Sequence, residues 1–168
     1  MTYAELKTNI ANYLNRSDLT SDIDMFIDNT EGELNRRLRT KDMIKRATAT
    51  ADSQYLAVPS DWMEAINVEI TSNNFRPLFQ QSIESLDVYR QSNNNVAGEP
   101  IYFAIVDDSI ELAPTPDTSY TLQLTYYGSI DALSDSNTTN FVSTGHPDVY
   151  LYGALKHASI FLMEDERV

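Results

Sequence analysis

The sequence predicts an α+β fold: a helical bundle from the N- and C-terminal helices, with a central antiparallel β-rich insertion. Three observations predict it. Apolar residues recur at helical spacing before residue 46, alternate with polar ones between 47 and 127, and return to helical spacing after Pro147. The expected partition is 1–46 and 146–168 as the bundle and 47–145 as the insertion, with a short helix near 82–91, all in one structural unit.

The elements follow in order. Thr2 and Glu5 form a T-x-x-E capping box, and Leu6, Ile10, Tyr13 and Leu14 then share one face of a helix ending near Arg16. Ser17–Asp18 turns the chain. Thr20 or Ser21 is expected to cap a second helix whose buried stripe is Ile23, Phe26, Ile27, Leu34 and Leu38. Acidic residues fill its start and arginines its end, as the helix dipole favours. The dipole does not explain why the basic run continues through Lys41 to Arg46.

From Ala47 the pattern becomes that of strands. Ala47–Thr50 and Tyr55–Val58 flank a turn at Asp52–Ser53, and Met63–Thr71 alternates through Ile66, Val68 and Ile70. Ser72-Asn73-Asn74 predicts a hairpin turn into Phe75–Phe79. Ser82–Gln91 reads as a short helix carrying Ile83, Leu86 and Tyr89, followed by a polar loop to Pro100. Ile101–Val106 and Ile110–Leu112 form a hairpin. Thr118–Tyr127 is the clearest strand, with Tyr120, Leu122, Leu124 and Tyr126 on one face. Pro147 and Asp148 open a final helix with a stripe of Leu151, Leu155, Ala158 and Leu162, broadened by Tyr150, Ala154 and Phe161, running to Val168.

Composition narrows the function. With 168 residues the chain can bury roughly 70% of its unfolded surface, so its core needs no disulfide or metal. There is no cysteine, which removes disulfide frameworks and thiolate metal sites and suits a reducing cytoplasm. No apolar run reaches the roughly 18 residues of a membrane span, and the N-terminus MTYAELKTN lacks the pattern of a signal peptide. A net charge of −13 is a poor match to a protein that grips DNA along its surface.

Catalytic and metal-binding signals are sparse. His146 and His157, the two histidines, lie eleven positions apart, roughly 16 Å along a helix, too far to share a metal. Asp22, Asp24 and Asp28 resemble a calcium loop only superficially, because no glycine stands where that loop turns. Phosphate loops and the G-x-S-x-G elbow are absent. No enzyme activity, cofactor or metal is expected, although a two-carboxylate hydrolase requires no fixed spacing in sequence. Trp62 reads as a core or strand-start residue. Tyr150, Tyr152 and Tyr126 or Tyr127 lie in apolar segments, and tyrosine suits interfaces as well as cores.

One charge feature stands out. Arg36, Arg37, Arg39, Lys41, Lys45 and Arg46 are half of the twelve basic residues, within eleven positions of a strongly acidic chain. They admit three readings: a solvated helix end, a phosphate-binding patch, or a subunit or portal interface meeting an acidic face. No aromatic residue interleaves them, which weakens a single-strand-binding reading. A nucleic-acid-binding module centred on Arg36–Arg46 is the second functional class, and a lytic enzyme the third.

Six landmarks occur in order over nearly the whole chain: YLNRSD, FIDNTEGELNRRLRTKDM, YLAVPSDWMEAINV, GEPIYFAIVDDSIELAPTP, LQLTYYGSIDALSD and DVYLYGALKHASIFLMED. Together they resemble the head-to-tail adaptor, or connector, proteins of tailed bacteriophages, especially the short-tailed type. The resemblance implies a structural virion protein without an active site. Family members assemble, typically as twelve copies, into a ring that joins the portal to tail or nozzle proteins and lets DNA pass without sequence-specific binding. It further implies a place at the head-to-tail junction after assembly in the host cytoplasm, and no membrane partner. Relatives usually continue past the equivalent of MEDERV with further helix, so a C-terminal docking tail is not carried over.

Overall fold

Thr2 starts the first helix, α1 (Tyr3–Leu14), by reciprocal capping. Its hydroxyl accepts from Glu5 N at 3.3 Å, and its own N–H donates to a Glu5 carboxylate oxygen at 2.8 Å. Asn15 ends the helix in the left-handed region (φ 51°), which asparagine tolerates. The structure is a computed structural model that describes residues 1–72 and 75–165. The chain divides into two units, Met1–Asp42 with Ile130–Val168, and Met43–Ser129.

The first unit is helical. Helix α2 (Thr20–Arg37) has Leu19 at its N-cap with no side-chain cap, contrary to the expected Thr20 or Ser21. The Thr20 hydroxyl instead donates back to Ser17 O at 3.3 Å. Ile23, Phe26 and Ile27 are buried as expected, but Leu34 and Leu38 are only half-buried, and Leu38 already lies outside the helix. Tyr13, expected on the buried face of α1, is 62% exposed.

After Ile130 the chain makes α4 (Phe141–Gly145), capped reciprocally by Asn140 and Ser143, and α5 (Pro147–Asp165). The buried line of α5 is Tyr150, Ala154 and Ala158; the expected Leu151, Leu155 and Leu162 are half-buried. Small residues decide this rotation. Gly153 sits against Thr30 of α2, so the face that touches α2 is the one that permits close approach. Phe161 is exposed, yet its ring meets Phe26 edge-on at 5.6 Å. The end of the helix expected at Val168 lies outside the described residues.

The second unit holds the strands. β1 (Ile44–Ala51), β3 (Trp62–Ile70), β4 (Arg76–Pro77) and β8 (Tyr120–Gly128) form one sheet in the order β1-β8-β3-β4. β2 (Tyr55–Ala57), β5 (Phe79–Gln80), β6 (Tyr102–Val106) and β7 (Ser109–Ala113) form another, in the order β2-β7-β6-β5. Inward side chains of both sheets share one core, including Val68, Ile70, Leu122 and Leu124 from the first and Phe103, Ile110 and Leu112 from the second. Ile66 stands at a register shift between Ala65 and Asn67, which turns it out to 45% exposure while Val68 and Ile70 stay buried. Helix α3 (Ile83–Ser92), capped by Ser82, buries Leu86 against Ala104 and Ala113.

The predicted architecture therefore needs correction. The class is α+β, but the arrangement is mixed, not a bundle of terminal helices flanking a single antiparallel insertion. The strands make two four-stranded sheets, and β5 pairs with β6 in parallel. A parallel pair needs a crossover, and α3 with the loop to Pro100 supplies it. The chain changes sheets at buried Leu78, between β4 and β5. The Ser72-Asn73-Asn74 turn lies partly outside the described residues.

Candidate interaction surfaces

The basic run does not lie on one continuous element. Arg36 and Arg37 end α2, Arg39 and Thr40 lie outside any helix or strand, Lys41 begins a 3-10 turn (Lys41–Met43), and Lys45 and Arg46 stand on β1. The helical signal fails after Arg37 because Leu38 turns to extended backbone, with ψ 140°.

The six cations also differ in what they do. Arg37 pairs with Glu33 one turn earlier at 3.0 Å. Arg39 turns its guanidinium back onto the carbonyls of Asn35 (2.8 Å) and Leu38 (2.6 Å), satisfying acceptors that the end of α2 leaves free. Arg36 and Lys41 are exposed and form no ion pair among the described residues. In the second unit, Lys45 is half-buried and held by Asp61 at 2.8 Å, whereas Arg46 is exposed on β1.

Asp61 organises a polar knot in that unit. It accepts from Lys45 and from the Tyr126 hydroxyl (2.9 Å), and Trp62 stacks on the Tyr126 ring with centroids 4.8 Å apart. Burial raises the Asp61 pKa, but the hydrogen bonds from Lys45 and Tyr126 outweigh it and hold the carboxyl below its ordinary value. A side chain at Gly128 would collide with Lys45 Cδ at 2.8 Å and Asp61 at 2.9 Å, so the glycine is needed for this approach. Trp62 is a packing residue at the start of β3.

Two carboxylates of α2 tie the helical unit together. Glu33 receives Lys156 of α5 at 2.8 Å and 3.0 Å, and the hydrogen bond from Lys156 lowers its pKa. Glu31 is buried, and one of its oxygens accepts from Tyr150 OH (2.9 Å) and Leu133 N (2.8 Å). Desolvation dominates there and raises the Glu31 pKa; burial likewise pushes the Tyr150 hydroxyl up. Asn140 donates to the same tyrosine oxygen at 2.6 Å, so α4's cap, α5 and α2 meet at one hydrogen-bonded point.

A groove of about 510 Å³ opens in the helical unit beside the end of α2. Leu34, Leu38, Phe141, Val142 and Val149 supply its apolar lining, and Lys41 is among its polar residues. Sequence reasoning missed it, since residues 34–42 and 141–149 become neighbours only in the folded unit. The half-burial of Leu34 and Leu38 follows from it: they line an open groove and not a closed core.

His146 caps the end of α4 and precedes α5, while His157 sits on α5 beside Glu33 at 3.5 Å. Among the described residues there is no group of three or more His, Asp or Glu placed to hold a metal, and no helix long and apolar enough to cross a membrane.

The sequence model of the SU10 adaptor protein family matches residues 1–168. No curated protein matches the sequence.

Proposed function

We propose, from the premise that this chain belongs to the SU10 adaptor protein family and is a bacteriophage head-to-tail adaptor, that its copies close into a ring at the junction of head and tail. The family is one of structural adaptors and not a known class of enzyme. The ring sits between the portal and tail components and leaves a central passage for DNA during genome retention and ejection. Twelve copies is the expected number.

The observation that carries this reading is the polarity of α2. Asp22 and Asp28 lie on its first half, Arg36 and Arg37 on its last turn, and Arg39 and Lys41 directly after. A closed ring needs two different patches on each copy, and opposite charges set their register. Exposed pairs contribute only about 0–1 kcal/mol each, so apolar contacts must hold the ring and charge must align it. Arg36, Arg37, Arg39 and Lys41 are the docking residues of the helical unit. In the other unit Arg46 is exposed for contact, and Lys45 positions Asp61.

Native mass measurement of the chain assembled with portal rings tests the reading. A symmetric multimer is expected, and a chain that stays monomeric in the presence of portal overturns it. A DNA titration across salt tests the nucleic-acid alternative. Weak binding even at low salt is expected of a chain carrying −13, whereas tight binding with a steep salt slope would favour that alternative.

A further inference from the structure

We propose that two free copies of the chain pair through β1, edge to edge and antiparallel about a twofold axis at Ala49, so that their two four-stranded sheets become one continuous sheet. Among the described residues the other edge strands are blunt. β2 has three residues, β4 and β5 have two each, and Pro77 of β4 has no N–H to offer. β1 is the exception. Its eight residues pair with β8 in unbroken register, without glycine, proline or bulge, and no described strand lies on its other side. Outside that ladder, no backbone group of Ala47–Ala51 is hydrogen-bonded among the described residues. Such an edge is a template for one more strand. Of its two cations, Lys45 is engaged by Asp61, which leaves Arg46.

The sequence of this edge fits a second copy of itself. Ala47-Thr48-Ala49-Thr50-Ala51 reads the same in both directions. Antiparallel pairing keeps each face matched only in registers centred on a residue, because a one-residue offset sets inward side chains opposite outward ones. With the centre at Ala49, Ala47 faces Ala51 of the second copy, Thr48 faces its Thr50, and Ala49 faces its own twin. Threonine then stands opposite threonine on the outer face, a favourable cross-strand pair. Ala47 and Ala49, half-buried beside the core between the sheets, gain alanine neighbours. The same register places Arg46 opposite Asp52, which directly follows the strand. Both are exposed, and neither forms an ion pair among the described residues. A centre at Thr48 would set Arg46 against Thr50, and a centre at Thr50 would set it against Gln54, so charge selects Ala49. The twofold axis makes the Arg46–Asp52 pair twice. A contact of this isologous kind joins two copies and stops, so it belongs to the free chain and does not rest on the ring reading.

The chain has no cysteine, so Ala49→Cys carries one thiol per copy. At the axis it faces its twin, with the Cα atoms inside the limit of about 7 Å that a disulfide needs. Ala47→Cys is the control, because its two thiols stand four residues apart along the strands, about 14 Å. The full chain is expected to show a monomer–dimer equilibrium in sedimentation across a concentration series. Mild oxidation is expected to link Ala49→Cys into dimers and to leave Ala47→Cys mostly unlinked. A chain that is monomeric at every concentration overturns the pairing. So does equal linking of the two variants, or a link that forms only in portal-assembled rings. None of these results touches the ring reading, which native mass with portal rings decides. Should a cysteine variant fail to fold, charge exchange decides. Arg46→Asp and Asp52→Arg should each raise the dimer dissociation constant roughly tenfold at low salt, since each breaks the pair twice. Their combination should restore it; absence of rescue overturns the pairing.

Discussion

Gly153 of α5 lies so close to Thr30 of α2 that a β-carbon added to the glycine would run into the threonine Cγ2 methyl. The Thr30 hydroxyl is turned away to Phe26 O at 2.8 Å, which leaves its methyl toward α5. Gly153→Ala should therefore lower stability by about 1–3 kcal/mol, the usual cost of overpacking. Urea unfolding checks this, and Thr30→Ser should recover part of the loss by removing the methyl.

Arg90 of α3 and Glu111 of β7 form a mostly buried pair at 2.7 Å, with Gln54 also donating to Glu111 at 2.9 Å. Arg90→Met leaves a buried carboxylate with one neutral donor. A loss of about 3–5 kcal/mol is expected by urea unfolding. Replacing both partners, Arg90→Met with Glu111→Leu, should restore most of it, because no uncompensated charge remains.

Glu31 gives a pH dependence of unusual sign. Its folded pKa is raised by burial, so between its unfolded value near pH 4.3 and its higher folded value the native state binds more protons than the unfolded state. Its contribution is present at acid pH and lost as pH rises through the folded pKa. Glu31→Gln keeps an acceptor for Tyr150 and Leu133 and should flatten that part of the curve. Denaturant midpoints from about pH 4 to pH 7 check it. An unchanged slope would mean that another group sets the dependence.

Arg36 and Arg39 should separate by phenotype. Arg36→Glu touches an exposed side chain, so thermal stability should move by no more than about 0.5 kcal/mol while ring assembly falls. Arg39→Glu removes the bonds to Asn35 and Leu38 carbonyls and should destabilise the fold by about 1 kcal/mol. Unfolding curves paired with native mass distinguish them, and normal assembly of Arg36→Glu would show a merely solvated helix end.

Local signals were legible wherever neighbours in sequence determine structure. The Thr2–Glu5 box, Ser82 at the start of α3, the hairpin of Ile101–Val106 with Ile110–Leu112 and the alternation of Tyr120 to Tyr126 all depend on contacts a few residues apart. The failures came where a distant partner decides. Thr20 gave up its capping role for Ser17 O, and α5 turned Ala154 rather than Leu155 inward to reach α2. The sequence could not show that Asp61, sixteen positions away, engages Lys45.

By itself the sequence determined the α+β class, most element positions, the polarity of α2 and the order of landmarks that marks the adaptor family. These are properties of periodicity, capping and charge, and each can be read along the chain. The tertiary structure alone decided that the strands split into two sheets with a parallel pair, that Glu31 and Glu111 are buried, and that Leu34 and Leu38 line a groove with Phe141 and Val149. The reason is common to all three: burial and pairing depend on residues dozens of positions apart, and periodicity shows which face is apolar but not what covers it.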